Sequence, residues 1–189
     1  MRGLPESDAQ HSGSDCHRYI DALIRGSGDL DVVSPYISRG YAEMLARHAA
    51  RHRVRVITSG ARQNDGAMVV FRGGGAGWKK AAAFLALLAA ISAALGLWYA
   101  MAITTAMAIV AVAAAVAARS RRVANLRVKV SRNVFIHEKL YICEAAAISG
   151  SANLTFSGTR RNLEHIDIAV SMERVDALRR HFEELWSSL

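Results

Sequence analysis

From Ala81 to Ala118 no side chain carries a charge, and every charged residue of the 189-residue chain lies to one side or the other of that stretch. A single helix over the run would be about 57 Å long at ~1.5 Å per residue, nearly twice the ~30 Å hydrocarbon core of a bilayer. Two helices of about 18 residues fit that thickness instead, with a turn between Gly96 and Thr105. Trp78-Lys79-Lys80 precedes the run and Arg119-Ser120-Arg121-Arg122 follows it. Both ends therefore carry the cations of cytoplasmic flanks and would lie on the same side. Strand-like segments stand on both sides of the run, and a single crossing would divide a shared sheet. The alternative, an Ala-rich pair buried in a soluble core, needs more surrounding protein than this chain has to cover two helices apolar all round. The expectation is a cell-membrane protein with two spans and its folded part in the cytoplasm.

The rest reads as one domain of ordinary size. It divides into a flexible N-terminal tail (1–13), a first domain part (14–77), the transmembrane hairpin (78–122) and a second domain part (123–189). The tail has no apolar stretch of the kind that directs secretion. Cys16 and Cys143 lack metal-ligand or disulfide spacing, and the histidines outside the motif described below have no partners at ligand spacing. No cofactor and no metal is expected. The net charge of +8 suits polyanions, whether nucleic acid or an anionic leaflet, and does not distinguish them.

Ser14 can cap a helix to about Arg25, and Ser38 one to about His52. Leu30–Ser34 and Val54–Thr58 read as buried strands, with Gly66–Phe71 a further short one. Gly73 to Gly77 is a flexible lead into the hairpin, without the ending of a phosphate loop. Strands are expected again at Leu126–Val130, Phe135–Ile142, Ala145–Ser149 and Ile166–Ser171. A last helix, capped by Ser171, has the inward stripe Val175, Leu178, Phe182, Leu185 and Trp186. The fold class is α/β, a mixed sheet flanked by helices.

The chemistry concentrates in Phe135-Ile136-His137-Glu138-Lys139-Leu140-Tyr141-Ile142-Cys143-Glu144, followed by Gly150-Ser151-Ala152-Asn153. In a strand, His137 and Lys139 share one face. The Gly-Ser-x-Asn turn adds a hydroxyl, an amide and backbone N–H groups that can cradle phosphate oxygens. A neutral imidazole can attack a phosphodiester to give a phosphohistidine. Lys139, Ser151 and Asn153 would bind the phosphoryl oxygens and stabilise their charge. His165 would point the other way.

The string His137-x-Lys139-x4-Glu144 with Gly150-Ser151-x-Asn153 resembles the signature of the phospholipase D superfamily, where Asp usually stands in place of Glu144. Asp31–Ile37 and Val54–Thr58 look like that family's early strands, and Asn162-Leu163-Glu164 resembles its downstream Asn-x-Glu. The resemblance implies that Glu164 orients the nucleophile, with Asn162 beside it, and that Glu144 tunes local structure. Only one His-x-Lys motif occurs here, so it further implies a C2 homodimer with His137 of one subunit as nucleophile and His137 of the other as general acid. The function expected is a membrane-anchored, metal-independent phosphodiesterase, leaning to endonuclease because short single-motif relatives resemble homodimeric endonucleases. The alternatives are a phospholipase D-type lipid hydrolase or phosphatidyltransferase, and a catalytically degenerate tethered scaffold or nucleic-acid-binding protein.

Overall fold

The computed structural model describes residues 3–72, 77–94 and 98–189. Seven strands form one mixed sheet in the order β1-β7-β6-β5-β2-β3-β4. Three of them, β2 (Leu30–Val33), β3 (Val54–Ser59) and β4 (Leu126–Ser131), run parallel. The remaining pairings are antiparallel, joining β5 (Leu140–Ile142), β6 (Ala147–Gly150), β7 (Glu164–Ala169) and β1 (Ala9–Gly13).

Side-chain alternation divides the core between the two faces of the sheet. Leu30, Val32, Val54, Val56, Tyr141, Ile148, Ile166 and Ile168 face one cluster. It is covered by α1 (His17–Gly26) through Ile20, Leu23 and Ile24, and by α2 (Arg39–His48) through Tyr41, Ala42 and Leu45. Val33, Ile57, Leu140, Ile142, Ala147 and Ala169 face the other, where Val175 and Phe182 of α7 (Met172–Ser188) close it. Leu178, Leu185 and Trp186 pack at its rim, along the stripe read from the sequence.

On that second face Asp31 and Arg55 are buried, joined by two 2.7 Å hydrogen bonds from the guanidinium to the carboxylate. Arg55 also donates to Glu183 of α7 and lies 4.7 Å over the Phe182 ring. Burial alone would lower the Arg55 pKa, but the bonds to Asp31 and Glu183 outweigh it and hold the group more firmly protonated than an ordinary arginine.

Four expectations are corrected. Residues 9–13 are not a flexible tail: they form β1, which caps the exposed edge of β7. Asp8 anchors this segment by accepting hydrogen bonds from the Val170 and Ser171 backbone N–H groups at the start of α7. Residues 66–71 are not a strand but belong to α3 (Asp65–Phe71), because β4 already occupies the free edge of β3 and Ala67 and Val70 bury at helical spacing. The second helix stops at His48 and the chain turns before β3. Finally, the expected strand at 135–142 is regular only in β5, since the segment before it must cross from β4, past the ends of β3 and β2, to reach its partner.

The apolar run forms α4 (Gly77–Ala94) and α5 (Trp98–Asn125), which pack on each other. Residues 98–105 are helical, and the rest of the expected turn lies outside the described residues, as do residues 73–76 of the glycine lead. Phe84, Leu87, Ile103, Ile109, Val110 and Val116 stand exposed on this pair. Among the described residues no helix is long and apolar enough to cross a membrane. The structure thus carries a helical hairpin inserted between α3 and β4, with an apolar surface that the chain itself does not cover.

Replacing Arg55 by Met leaves the buried Asp31 carboxylate without its cation. Urea unfolding is expected to show a loss of about 3–5 kcal/mol.

Candidate functional site

The motif residues gather where the parallel strands end. The carboxyl ends of β2, β3 and β4 meet the amino ends of β5 and β7, the side of an α/β sheet on which ligands bind. Residues 132–139 pass over those ends. Ser131 donates to the Val134 carbonyl at the start of the passage. The Phe135 ring lies 6.3 Å from that of Tyr36 and 5.8 Å from that of His137. Glu138 is held by His181 of α7 at 2.8 Å, a partner for that histidine that helix periodicity could not show.

His137 emerges exposed. Lys139 is only 4% exposed, and its Nζ donates to the His137 carbonyl at 2.5 Å and stands 3.1 Å from each imidazole nitrogen. An ammonium can donate to a ring nitrogen only where that nitrogen carries no proton. The expected pair is therefore adjacent, with the histidine outward and the cation beneath it. Burial lowers the Lys139 pKa from its ordinary 10.5, and the Glu164 charge offsets part of that effect.

The Gly150-Ser151-Ala152-Asn153 turn is fastened on both sides. Gly150 adopts φ +150°, and a Cβ there would lie 2.1 Å from the His165 carbonyl oxygen, so a side chain has no room. The Ser151 N–H donates to that carbonyl at 2.9 Å, and Tyr141 donates to the Ala152 carbonyl at 2.7 Å. The next residue, Leu154, donates from its N–H to Ser34 Oγ at the exit of β2. Asn153 Oδ1 is buried without a hydrogen-bond partner. A half-turn of the amide would present its NH2 group there instead. Either way one polar atom of the turn has no hydrogen-bond partner among the described residues.

Glu164 belongs to this cluster through the Gly-Ser-x-Asn turn. Its carboxylate accepts from Ser151 Oγ and, at 3.1 Å, from Asn162 Nδ2. Among the described residues no hydrogen bond joins it to His137. Ser151 Oγ also accepts the His165 N–H at 3.0 Å, so its hydroxyl is tied to the base of the turn rather than free. The His165 ring turns away to Ser12, 2.8 Å from its hydroxyl, as alternation along β7 dictates.

Glu144 is not with the others. It sits in the β5–β6 turn at the opposite end of the sheet, accepting the Gly28 N–H at 3.1 Å and the Asp29 N–H. Its spacing in the motif carries it down β5 and out at the far side, where it clamps the loop into β2. The sequence reading also missed Asn64. This buried amide donates to the Pro35 carbonyl at 2.9 Å and to the Ser59 carbonyl at 2.7 Å, and accepts the Ile37 N–H at 2.8 Å. It knits the exits of β2 and β3 under the site, and nothing in the local sequence separates such an asparagine from a loop residue.

The family described as "Cardiolipin synthase, PLD-like domain" matches residues 19–186, nearly the whole chain. The chain belongs to that family. The PLD-like domain also has the fold of Nuc, described as a phospholipase D family member, from Salmonella typhimurium, with a TM-score of 0.58 at 11% identity over 96% of this chain and 95% of that one. NucT from Helicobacter pylori gives 0.58 at 12% identity, covering 96% of each chain. Phosphatidylserine synthase from Haemophilus influenzae gives 0.50 at 14% identity, over 96% of this chain but 39% of that one. At these identities the likeness is one of fold. A search of curated proteins finds no match.

Two outcomes are expected of the PLD-like domain. Gly150→Ala should lower the melting temperature and distort the turn, costing more than about 2 kcal/mol because the new methyl meets backbone; thermal unfolding checks it. If the Lys139 ammonium serves turnover, deprotonation ends its contribution, so the alkaline limb of the pH–rate profile should fall below the ordinary lysine value of 10.5. Lys139→Arg should carry that limb upward, because a guanidinium stays charged.

Proposed function

We propose that the protein is a membrane-anchored phosphodiesterase that cleaves nucleic acid through a phosphohistidine at His137. The observation that carries this reading is the exposed His137 imidazole over the buried Lys139 ammonium, beside the unpartnered Asn153 amide. A bound diester gives Lys139 a better partner than the imidazole. As Nζ turns to a phosphoryl oxygen, the ring nitrogen is released to attack phosphorus. The P–N bond forms as the P–O bond to the leaving group breaks. Water then attacks the phosphohistidine, and the imidazole departs with its nitrogen restored.

The leaving oxygen needs a proton, and the other histidine of the turn region, His165, is held by Ser12. We therefore assign the general acid to the partner's His137 in a C2 dimer; once it has protonated the leaving oxygen, its neutral ring takes a proton from the attacking water and is restored. The basic balance of +8 favours a polyanionic substrate. Membrane anchoring is assigned to α4 and α5, on the uncharged run, its basic flanks and the apolar side chains left exposed. The cations of those flanks favour the cytoplasmic side for the folded part. The same exposed hairpin favours a second reading, hydrolysis or transfer of a phospholipid headgroup.

Detergent-purified protein should hydrolyse bis-(p-nitrophenyl) phosphate, and His137→Ala should lower turnover at least about a thousandfold with folding intact. Equal turnover by both proteins would sink the enzyme reading. Offered labelled single-stranded DNA, RNA and phospholipid vesicles in parallel, the enzyme should cleave nucleic acid first. Preference for the vesicles would reverse the choice of substrate.

A further inference from the structure

The sheet has two chemically different ends. At one, the exits of β2 and β3 carry the His137 groove. At the other, α5 runs directly into β4, whose first residue Leu126 pairs with Val54 at the entrance of β3. The apolar hairpin therefore joins the folded part at the end opposite the groove.

That same end carries Asp29 and Glu144, and beside them a cluster of cations. The loops entering β2 and β3 hold a cavity of about 570 Å³ whose lining includes Arg25, Ser27, Arg47, His48, Arg51 and His52 and no carboxylate. Arg25 reaches Asp21 at 3.9 Å, and neighbouring Arg53 is paired with Asp29 at 3.0 Å. Arg47 and Arg51 are exposed and have no acidic partner among the described residues. His48 is fixed by the Gly28 carbonyl at 2.6 Å and stacks on His52 at 4.9 Å. Arg119, Arg121 and Arg122 stand in sequence just before β4, at the end of α5.

Resting on the assignment of α4 and α5 to the bilayer, we infer that the end of the sheet bearing Arg25, Arg47, Arg51 and His52 lies against an anionic lipid surface, and that the His137 groove opens away from it onto substrate in solution. An apolar insert that leaves the domain beside unpaired arginines presents tails and headgroups with their complements in the right order. The six residues paired between β3 and β4 put about 20 Å between the two ends at ~3.3 Å per residue. That is about two and a half Debye lengths at physiological salt, so headgroup charge is screened before it reaches the groove. Headgroups of the anchoring leaflet would then be out of reach of His137, while a soluble polyanion would not.

The test uses the full chain in nanodiscs of phosphatidylcholine, alone or with one quarter phosphatidylglycerol, read by hydrogen–deuterium exchange. Anionic discs should slow exchange across residues 47–53 about fivefold relative to neutral ones, the worth of one basic contact, and leave 134–139 unchanged. Arg47→Gln/Arg51→Gln should abolish that slowing while turnover of the soluble diester stays at the wild-type level. No slowing at 47–53 in a chain that resists carbonate extraction overturns this orientation alone. Slowing at 134–139 instead also overturns it and brings the groove to the lipid. Stronger slowing at 47–53 by duplex DNA in detergent than by anionic discs would assign the patch to nucleic acid and overturn the lipid assignment. Release of the chain by carbonate would remove the membrane reading, and this inference with it.

Discussion

The parallel pairing of β3 with β4, residue for residue from Val54 with Leu126 to Ser59 with Ser131, is the constraint on which the rest depends. Between those strands lies the whole helical hairpin, and the ladder forms only if that insert returns the chain to where it left. A hairpin folded on itself does so at a lower closure entropy than a flexible loop of equal length. The ladder then commits the chain twice over. It places α5 at the entrance of the strands, and it delivers the chain at their exits, on the wrong side of β3 and β2 for its next partner, β5. The crossing that corrects this is the segment bearing His137.

That crossing explains what could and could not be read from residues alone. Buried strands such as Leu30–Val33 and the amphipathic α7 show themselves because one face of each is apolar at its own period. Residues 135–139 carry the same β-branched and aromatic signal, yet the connection from β4 to β5 pulls them off the ladder. Periodicity does not encode strand order. For the same reason residues 9–13 pass for a tail: an edge strand with one covered face needs little apolar content to add its hydrogen bonds to β7.

The site residues divide along a similar line. His137 and Lys139 stand together because they are two apart in an extended chain, whether or not it is in a sheet. Ser151 and Glu164 meet because β6 and β7 are neighbours, an encounter across the sheet that the resemblance did not contain in that form. Their contact consumes the hydroxyl and one carboxylate oxygen, leaving Glu164 to act on Lys139 through charge rather than through a bond. Tyr141 and Ser34 hold the turn and the residue after it, and Asn64 knits the neighbouring exits of β2 and β3, all by bonds to backbone that no spacing rule predicts.

Glu144 spans two successive N–H groups, and a Cβ on Gly28 would come within 2.6 Å of its Oε1. The acid fills the space that any other residue at position 28 would need. The longer carboxylate of this motif is thus accommodated beside a residue without a side chain, across the mouth of β2. A side chain at position 28 would make that carboxylate shift, loosening its hold on the Gly28 and Asp29 N–H groups. The two positions share one space at the end of the sheet opposite His137 and Lys139, so a change at either is felt first by the loop into β2.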